Sequence, residues 1–220
     1  MAKLRNDAVV VIGLGRFGEA LAVELEASGT EVLGIDTDEQ VIQKLAGVLT
    51  HAVVADATDA EAMRQLSVDE FTRAVVGIGH NLEASILTCS VLQSFGIGDI
   101  WAKAISAPHA RILAQVGCHH AVRPEHDTGR RVAHLIAGKL LEYIEFDDGY
   151  AIVKMRPPAE ILGKTLAEAG VRNKYGVTIV GAKRAAEDFT HAVPDTVVNQ
   201  GDLIIVSGAR AKVEAFAELA

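Results

Sequence analysis

The chain has 220 residues, of which 50% are hydrophobic and 23% are charged, an ordinary balance for a globular protein with a sizeable core. Its net charge of −8 includes no block of like charges, which disfavours a nucleic-acid partner because binding phosphates needs a basic surface. No apolar run reaches about eighteen residues, so no membrane span is expected. Cys89 and Cys118 match no metal-binding spacing, and a strand predicted close to residue 1 leaves no room for a signal peptide. These features favour a cytoplasmic protein with reduced thiols.

A glycine-rich turn lies near the start of the chain, between a predicted strand and a predicted helix. Residues 8–12 are all apolar, as expected for a strand of a parallel sheet that is buried on both faces. They lead into the motif Gly13-Leu14-Gly15-Arg16-Phe17-Gly18. In this pattern Gly13 permits the tight turn, Gly15 lets the backbone approach a pyrophosphate, and Gly18 lets the helix pack near the strand. The sequence therefore predicts a turn that binds nucleotide phosphates.

Asp36 ends the next predicted strand, where a carboxylate can accept hydrogen bonds from ribose hydroxyls. Together with Asp38 it would repel the 2′-phosphate of NADP, which disfavours that ligand. Thr37 is assigned to the same site. With Gln40 it also forms a T-x-x-Q pattern that predicts the cap of the following helix.

The segment Asp56-Ala57-Thr58 follows another predicted strand, at residues 51–55. Because the carboxyl ends of parallel strands share one edge of the sheet, we expect this segment beside the glycine turn, where doubly wound proteins bind ligands. The alternative is that Asp56 merely starts a helix. Thr58 and Glu61 form a second capping pattern, which predicts that Thr58 caps that helix.

Three more strands and their helices complete a first domain. The predicted strands are 74–79, 100–105 and 118–122, and the predicted helices are 81–95, 108–117 and 123–140. Lys103 is the one charge in an apolar strand, so it either extends along an edge of the sheet or faces an anion. Six strands alternating with helices predict an α/β domain at residues 1–140, with a Rossmann-type, doubly wound parallel sheet.

Residues 141–220 show the pattern of a linker and a smaller α+β domain. The predicted strands are 150–155, 177–180 and 203–206, and the predicted last helix is 210–219. Thr165 and Glu168 form a capping pattern on a short helix that ends at Gly170. Beyond residue 145 the sequence has one histidine, His191, no cysteine, and no pair of acids at a spacing typical of catalysis. A regulatory or dimerisation module is therefore favoured over an enzyme, with the nucleotide sensed and not consumed.

His119, His120 and His126 lie close to Glu125 in the sequence. Histidine and carboxylate side chains are metal ligands, so a metal site is one interpretation of this cluster. Structural or solvated histidines are the other interpretation, and spacing alone leaves both open.

These motifs resemble the cytosolic regulators of potassium conductance, or RCK proteins, and in particular the Ktr/Trk-type regulatory subunits of bacterial potassium uptake systems. The resemblance covers the whole chain, with an N-terminal RCK domain followed by a C-terminal one. The motifs that carry it are the glycine turn 13–18, Ile35-Asp36, Asp56-Ala57-Thr58, Pro124-Glu125 and the segment 161–166.

The resemblance implies a homodimer that assembles into an octameric ring beneath a membrane subunit that conducts potassium, on the inner face of the cell membrane. It also implies ATP, ADP or NAD(H) as the ligand, with ATP and ADP favouring different ring shapes. In that arrangement Arg16 reaches a terminal phosphate, Lys103 lies near the phosphates, and Glu125 holds a divalent cation, Mg²⁺ or Ca²⁺. Arg16 follows the glycines at a helix N-terminus, where anions bind well. Glu125 is otherwise an ordinary acid in the first turn of a helix.

Some related C-terminal RCK domains bind cyclic di-AMP between two subunits. The positions that look similar here are Leu166, Val171, Arg172, Asn173 and Pro194. Leu166, Val171 and Pro194 offer apolar surface for adenines, and Arg172 and Asn173 offer donors for phosphates. The alternative is that Gly170 only ends a helix and Arg172 is a solvated charge.

The leading hypothesis is a nucleotide-sensing subunit that gates a potassium transporter or channel. An NAD-dependent oxidoreductase is disfavoured because the second domain lacks a catalytic constellation. A nucleotide sensor that regulates a cation/proton antiporter differs from the leading hypothesis only in its partner.

Overall fold

The computed structural model describes residues 7–136, 139–146 and 148–220. The chain divides into two compact units, with the boundary between Glu125 and His126. Within the described ranges, no helix is both long enough and apolar enough to cross a membrane.

The first unit is built on a parallel sheet whose strands alternate with helices. Its strands are β1 (Val9–Ile12), β2 (Val32–Asp36), β3 (His51–Val54), β4 (Arg73–Val76), β5 (Asp99–Lys103) and β6 (His120–Val122). Its helices are α1 (Arg16–Ala27), α2 (Glu39–Leu45), α3 (Ala60–Gln65), α4 (Leu82–Ser94) and α5 (Ala107–Gln115), and α6 (Pro124–Ile136) crosses the boundary between the units. The strands pair in parallel in the order β3-β2-β1-β4-β5-β6. This order confirms the predicted Rossmann-type sheet.

Both faces of this sheet are covered, as the apolar run in β1 predicts. Val11 packs into a core with Ala22 of α1 and Ile42 of α2. Its neighbour Val10 packs into the opposite core, which contains Leu92 of α4. Successive side chains of a strand point to opposite faces, so a strand covered on both sides needs apolar residues at every position.

Two predicted strands are too long at their carboxyl ends. The strand predicted at 74–79 ends at Val76, and the one predicted at 100–105 ends at Lys103. The N–H of Gly77 still donates to the carbonyl oxygen of Ile12 at 2.6 Å, but residues 77–79 are not part of the strand. These residues instead form loops at the edge where the site lies.

Two predicted helix caps are wrong for a shared reason. Asp38, and not Thr37, caps α2, with its carboxylate accepting from the N–H of Gln40 at 2.8 Å. Asp59, and not Thr58, caps α3. In both places an aspartate directly follows the threonine, and aspartate is the stronger N-cap residue.

The second unit is built on an antiparallel sheet. Its strands are β7 (Leu140–Glu145), β8 (Tyr150–Met155), β9 (Val177–Lys183), β10 (Thr190–His191) and β11 (Leu203–Ala209), and its helices are α7 (Leu166–Ala169), α8 (Val171–Tyr175) and α9 (Arg210–Ala217). The strands pair in the order β10-β9-β11-β8-β7. Val153, Ile204 and Phe216 lie in its core, where α9 covers the sheet. The predicted α+β architecture is confirmed.

The predictions for this unit are partly confirmed. Thr165 and Glu168 form the expected capping box, and Gly170 ends α7 with a φ of 58°. The helix predicted at 123–140 is too long, because α6 ends at Ile136 and Leu140 begins β7, paired with Met155. The four-residue spacing of Ile136 and Leu140 imitates a helix face, and residues 137–138 between them lie outside the described ranges. The short elements α8 and β10 were not predicted.

Candidate nucleotide-binding site

The glycine turn brings three backbone segments into direct contact. Gly13 has a φ of 83°, a backbone conformation that residues other than glycine rarely adopt. A Cβ atom on Gly18 would overlap the carbonyl oxygen of Gly13, and one on Gly77 would lie 2.6 Å from the same oxygen. The start of α1 therefore packs against the ends of β1 and β4 with no side chain between them, as the motif predicts.

Gly15 has the opposite surroundings. It is the N-cap of α1, its φ is −64°, and a Cβ atom there would have no heavy atom within 4 Å. The space beside Gly15 is thus open, at a helix N-terminus whose free N–H groups favour anions. The backbone at Gly15 is therefore accessible to a ligand.

Asp36 ties the end of β2 to the turn. Its Oδ2 accepts from the N–H of Leu14 at 2.6 Å, and its Oδ1 accepts from the N–H of Asp38 at 3.0 Å. A carboxylate has about four acceptor positions, so capacity remains for ribose hydroxyls. Leu14 itself is buried beneath the turn and packs in the core, away from the cleft.

Asp56 is held by Thr58. Its Oδ1 accepts from both the N–H and the hydroxyl of Thr58, at 2.9 Å and 2.7 Å. These hydrogen bonds, from the backbone first and then the side chain, lower the pKa of Asp56 below its usual range and keep it ionised. Because Asp59 caps the helix, the role of helix starter is filled by another residue.

A cleft of about 630 Å³ joins these groups at the carboxyl edge of the sheet. The predicted site residues that line it are Gly13, Gly15, Asp36, Thr37, Asp56, Ala57 and Thr58. It is also lined by residues that the motifs did not indicate, namely Val41, Ile78, His80, Asn81, Glu83, Ala84, Leu87 and Thr88. The hydroxyl of Thr88 is buried and has no hydrogen-bond partner in the part of the chain that the structure describes. Ile78, His80 and Asn81 lie in the loop just after β4, and that position was the available signal for them, since every loop after a parallel strand faces this edge.

Lys103, Glu125 and Phe17 form a cluster outside that lining. The Lys103 ammonium lies 2.5 Å from Oε1 of Glu125 and 5.9 Å from the centre of the Phe17 ring. The hydrogen bond from Lys103 holds the pKa of Glu125 below its usual range, and the charge of Arg16 acts in the same direction. Lys103 therefore reaches the carboxyl edge of the sheet, where its charge meets a carboxylate.

The histidines near Glu125 have separate neighbours. His119 Nδ1 accepts from the N–H of Ile100 at 3.0 Å, His120 stacks on Trp101, and His126 Nδ1 lies 3.0 Å from a carboxylate oxygen of Asp127. In the described ranges no group of three or more histidine, cysteine, aspartate or glutamate side chains is placed to hold a metal ion. The structural interpretation of the histidines is the one that these contacts favour.

Cys89 and Cys118 are free and buried in the core of the first unit. A hydrogen bond with Cys118, together with burial, raises the pKa of Cys89 far above its usual range. A protonated, buried thiol of this kind is chemically inert.

The second unit has a cavity of its own, of about 390 Å³. All five residues predicted for cyclic di-AMP line it: Leu166, Val171, Arg172, Asn173 and Pro194. Thr178, Ala192 and Val193 line it too and were not predicted. Arg172 and Asn173 are exposed, so their donors are available to a ligand.

A doubly wound sheet with a glycine cradle, and an acid that ends its second strand, defines a Rossmann-type domain. The chain belongs to the TrkA family: the family model of the TrkA-N domain matches residues 9–124, and that of the TrkA-C domain matches residues 150–220.

Similar proteins agree with this assignment. The Ktr system potassium uptake protein C of Bacillus subtilis is 35% identical over 207 residues, which are 94% of each chain. The Ktr system potassium uptake protein A of Vibrio alginolyticus is 35% identical over 211 residues, which are 96% of each chain. Both relatives are named as potassium uptake proteins, and they confirm the predicted Ktr/Trk-type family.

Solved structures share the fold. A GsuK channel bound to NAD matches 97% of this chain with a TM-score of 0.68 and 18% identity. A crystal structure of the GsuK RCK domain matches the same share with a TM-score of 0.65 and 18% identity. The chain spans only 39% and 47% of those two longer chains.

Proposed function

We propose that this protein is the nucleotide-sensing regulatory subunit of a potassium uptake system. It binds ATP, ADP or NAD(H) at the carboxyl edge of its parallel sheet and thereby controls a membrane subunit that conducts potassium. Its relatives at 35% identity are named potassium uptake proteins, and this supports the assignment of the chain to a potassium uptake system. Nucleotide control rests on the chain's own residues.

The glycine cradle supports nucleotide binding most directly. Gly13, Gly18 and Gly77 bring the helix N-terminus as close to the strands as backbone allows, while Gly15 leaves the space above open. Gly15 lines a cleft that also contains Asp36. Backbone N–H groups then bind phosphates and a carboxylate binds ribose, which is the division of labour in Rossmann-type sites.

Arg16 and Lys103 give the site its preference for phosphate charge. Arg16 is exposed at the first position of α1, so its guanidinium is available to a terminal phosphate, including one held by the partner in a dimer. Lys103 exchanges Glu125 for a phosphate when a nucleotide binds. Guanidinium and ammonium groups are the usual phosphate partners.

Glu125 binds a divalent cation only together with the nucleotide. Its carboxylate oxygens suit Mg²⁺ or Ca²⁺, which take oxygen ligands. Among the described residues it belongs to no group of three or more histidine, cysteine, aspartate or glutamate side chains that could hold a metal ion, so phosphate oxygens complete the coordination. Release of Glu125 by Lys103 is the step that makes its carboxylate available.

The assembly is a homodimer that closes into an octameric ring on the cytoplasmic face of the membrane. Residues 1–140 form the nucleotide-binding part of each subunit, and residues 141–220 form a linker and a dimerisation part. Symmetric closure lets each nucleotide act on a shared ring, so a small change at each site adds up at the membrane subunit.

A second ligand is favoured by the cavity of the second unit, where all five predicted residues meet. Cyclic di-AMP binds there between two subunits, with its adenines on apolar residues and its phosphates on Arg172 and Asn173. Two-fold symmetry lets one segment serve the ligand twice.

Calorimetry on the nucleotide-stripped full chain tests the first site. We expect heat on titration with at least one of ATP, ADP, NAD and NADH, and no heat with any of them would refute nucleotide sensing. Regulation is tested by rubidium uptake in cells whose only potassium uptake system is the membrane subunit with this chain. Gly15→Val should lose the response to nucleotide, whereas Gly98→Val should keep it, since Gly98 is exposed, unconstrained and just before β5, at the opposite edge.

A further inference from the structure

His109 lies in the first turn of α5, and its side chain is buried. The residue is only 3% exposed, although histidine is polar. Its Nδ1 accepts a hydrogen bond from the N–H of Ile105 at 3.3 Å. Ile105 belongs to residues 104–106, which connect β5 to α5 and are named the β5–α5 loop below. The imidazole therefore ties this loop to the helix that follows it.

The hold on Ile105 depends on that imidazole. The side chain of Ile105 is 51% exposed, so burial does little to fix it. The neighbouring Ala104 is held differently, because its N–H donates to the carbonyl oxygen of Val122 at 2.8 Å, and no histidine takes part. Lys103 directly precedes the loop, so the contact between His109 and Ile105 lies close in the chain to the Lys103–Glu125 pair.

The contact with Ile105 requires a neutral imidazole. A ring nitrogen that accepts a hydrogen bond carries no proton, so the one proton of the neutral ring is on Nε2. Nε2 is buried and has no hydrogen-bond partner among the residues that the structure describes. A second proton would go to Nδ1, where it would face the N–H of Ile105, donor against donor. It would also create a buried charge, which is unfavourable without a partner. Protonation of His109 and its contact with Ile105 therefore exclude each other.

The charges around α5 do not favour the protonated ring. Burial alone lowers the pKa of His109 below its usual range. Helix α5 contacts α4 and β6 and follows β5. The titratable or charged side chains on these elements, on α5 itself and just before β6 are Glu83, Cys89, Asp99, Lys103, Arg111, Cys118, His119 and His120. Asp99 and Lys103 alternate with core residues of β5, so they lie on the face of the sheet opposite to α4 and α5. Glu83 and Arg111 are exposed.

We propose that His109 is an acid-sensitive latch of the β5–α5 loop: protonation of its imidazole breaks the hydrogen bond from Ile105 and releases the loop. A released histidine takes up a proton near its ordinary pKa of about 6.5, whereas the latched one resists protonation until a lower pH. The latch is therefore at full strength above about pH 6.5 and is lost as the pH falls towards the lowered pKa. The loop is held at neutral pH and released in acid.

Amide hydrogen exchange of the full chain, followed by NMR at pH 7 and pH 5, tests the latch. Each rate is compared with that of an unstructured peptide at the same pH, which gives a protection factor for each amide. We expect the protection of the Ile105 amide to be at least about fivefold lower at pH 5, because each pH unit between the two pKa values weakens the latch by up to about tenfold. The Ala104 amide, bonded to Val122, should keep its protection.

His109→Asn removes the titration and keeps the acceptor. The amide oxygen of asparagine accepts from the N–H of Ile105 and takes up no proton in this pH range, so the protection of Ile105 should not depend on pH. His191→Asn is the matched control, because it makes the same chemical change at an exposed histidine of the second unit. This variant should keep the pH dependence of the wild-type chain.

Each outcome supports or overturns the latch. Equal protection of Ile105 at both pH values would overturn it. A loss shared by Ala104 would indicate opening of more than the latch, and a loss that persists in His109→Asn would assign the pH dependence to another group; either result would also overturn it. The comparison of the two neighbouring amides needs no variant, so it decides even if His109→Asn does not fold. No nucleotide is present in the experiment, so its result is independent of the proposed function.

Discussion

Gly15→Val should abolish nucleotide binding and leave the protein folded. The side chain of valine would project into the opening above the helix N-terminus, where the phosphates are proposed to bind. No heavy atom lies within 4 Å of the Cβ position, so the new side chain meets no protein atom there. It displaces the ligand instead.

The effect on stability is small by the same geometry. Valine is a weaker N-cap than glycine, at an expense of roughly 0.5–1 kcal/mol. Replacing glycine at an unstrained φ restricts the unfolded chain and returns about 0.4–1 kcal/mol. The φ of −64° at Gly15 meets that condition. The two terms offset each other, so we expect a change in unfolding free energy within about 1 kcal/mol.

The effect on binding is large. We expect at least a hundredfold loss of affinity, which corresponds to about 2.7 kcal/mol. Calorimetry with the nucleotides that bind the wild-type chain measures it, and urea unfolding measures stability. Gly18→Ala is the contrasting variant, because its Cβ would overlap the Gly13 carbonyl and overpacking costs about 1–3 kcal/mol or more. Wild-type affinity in Gly15→Val would refute phosphate binding beside Gly15. Equal losses of stability in both variants would refute the contrast between the open space at Gly15 and the close contact at Gly18.

Four further substitutions separate the roles of other groups. Asp36→Ala should weaken all adenosine ligands together by about 1–3 kcal/mol, because it removes shared ribose bonds; calorimetry showing a loss for only one ligand would contradict this. Arg16→Ala should weaken ATP more than NAD, since only ATP has a terminal phosphate, and equal losses would remove that role. Glu125→Gln should reduce the effect of Mg²⁺ or Ca²⁺ on ATP affinity, because an amide lacks the charge of a carboxylate; full metal dependence in the variant would make Glu125 a structural residue. Arg172→Ala should remove cyclic di-AMP binding while ATP still binds, and unchanged titration heats would exclude that cavity.

Local chemistry made the first unit predictable from sequence. The spacing of the glycines is typical of a turn between a strand and a helix. The apolar run at residues 8–12 indicates a strand that is covered on both faces, as in the interior of a parallel sheet. Asp36 was predictable for the same reason, because it ends the neighbouring strand. The observed strand order is that of a doubly wound sheet, in which the chain crosses from β3 at one edge to β4 on the other side of β1.

The features that could not be predicted from the sequence depend on competition between neighbouring residues or on pairing between residues far apart in the chain. Thr37 and Thr58 each matched a capping pattern, but the adjacent aspartate is the N-cap residue in both helices. Spacing alone cannot decide between two neighbouring residues that can both cap a helix. Leu140 shares helical spacing with Ile136, but its pairing with Met155 places it in a strand. Leu87 lines the cleft because α4 lies beside it, and no sequence motif indicates that position.

The contact between Gly13, Gly18 and Gly77 divides the site into a fixed part and an adaptable part. Backbone packed on backbone has no side chain that can change rotamer, so β1, α1 and β4 move as one body at the glycine turn. The Lys103–Glu125 pair, by contrast, opens by side-chain rotation alone, and the Glu125 side chain is 66% exposed. Under the proposed function, the cradle holds the phosphates of every nucleotide in the same way, and two nucleotides differ only in the contacts that they make beyond it. This separation suits a protein that distinguishes one nucleotide from another. The part that the ligands share supplies the binding affinity, and the part in which they differ determines the response of the protein.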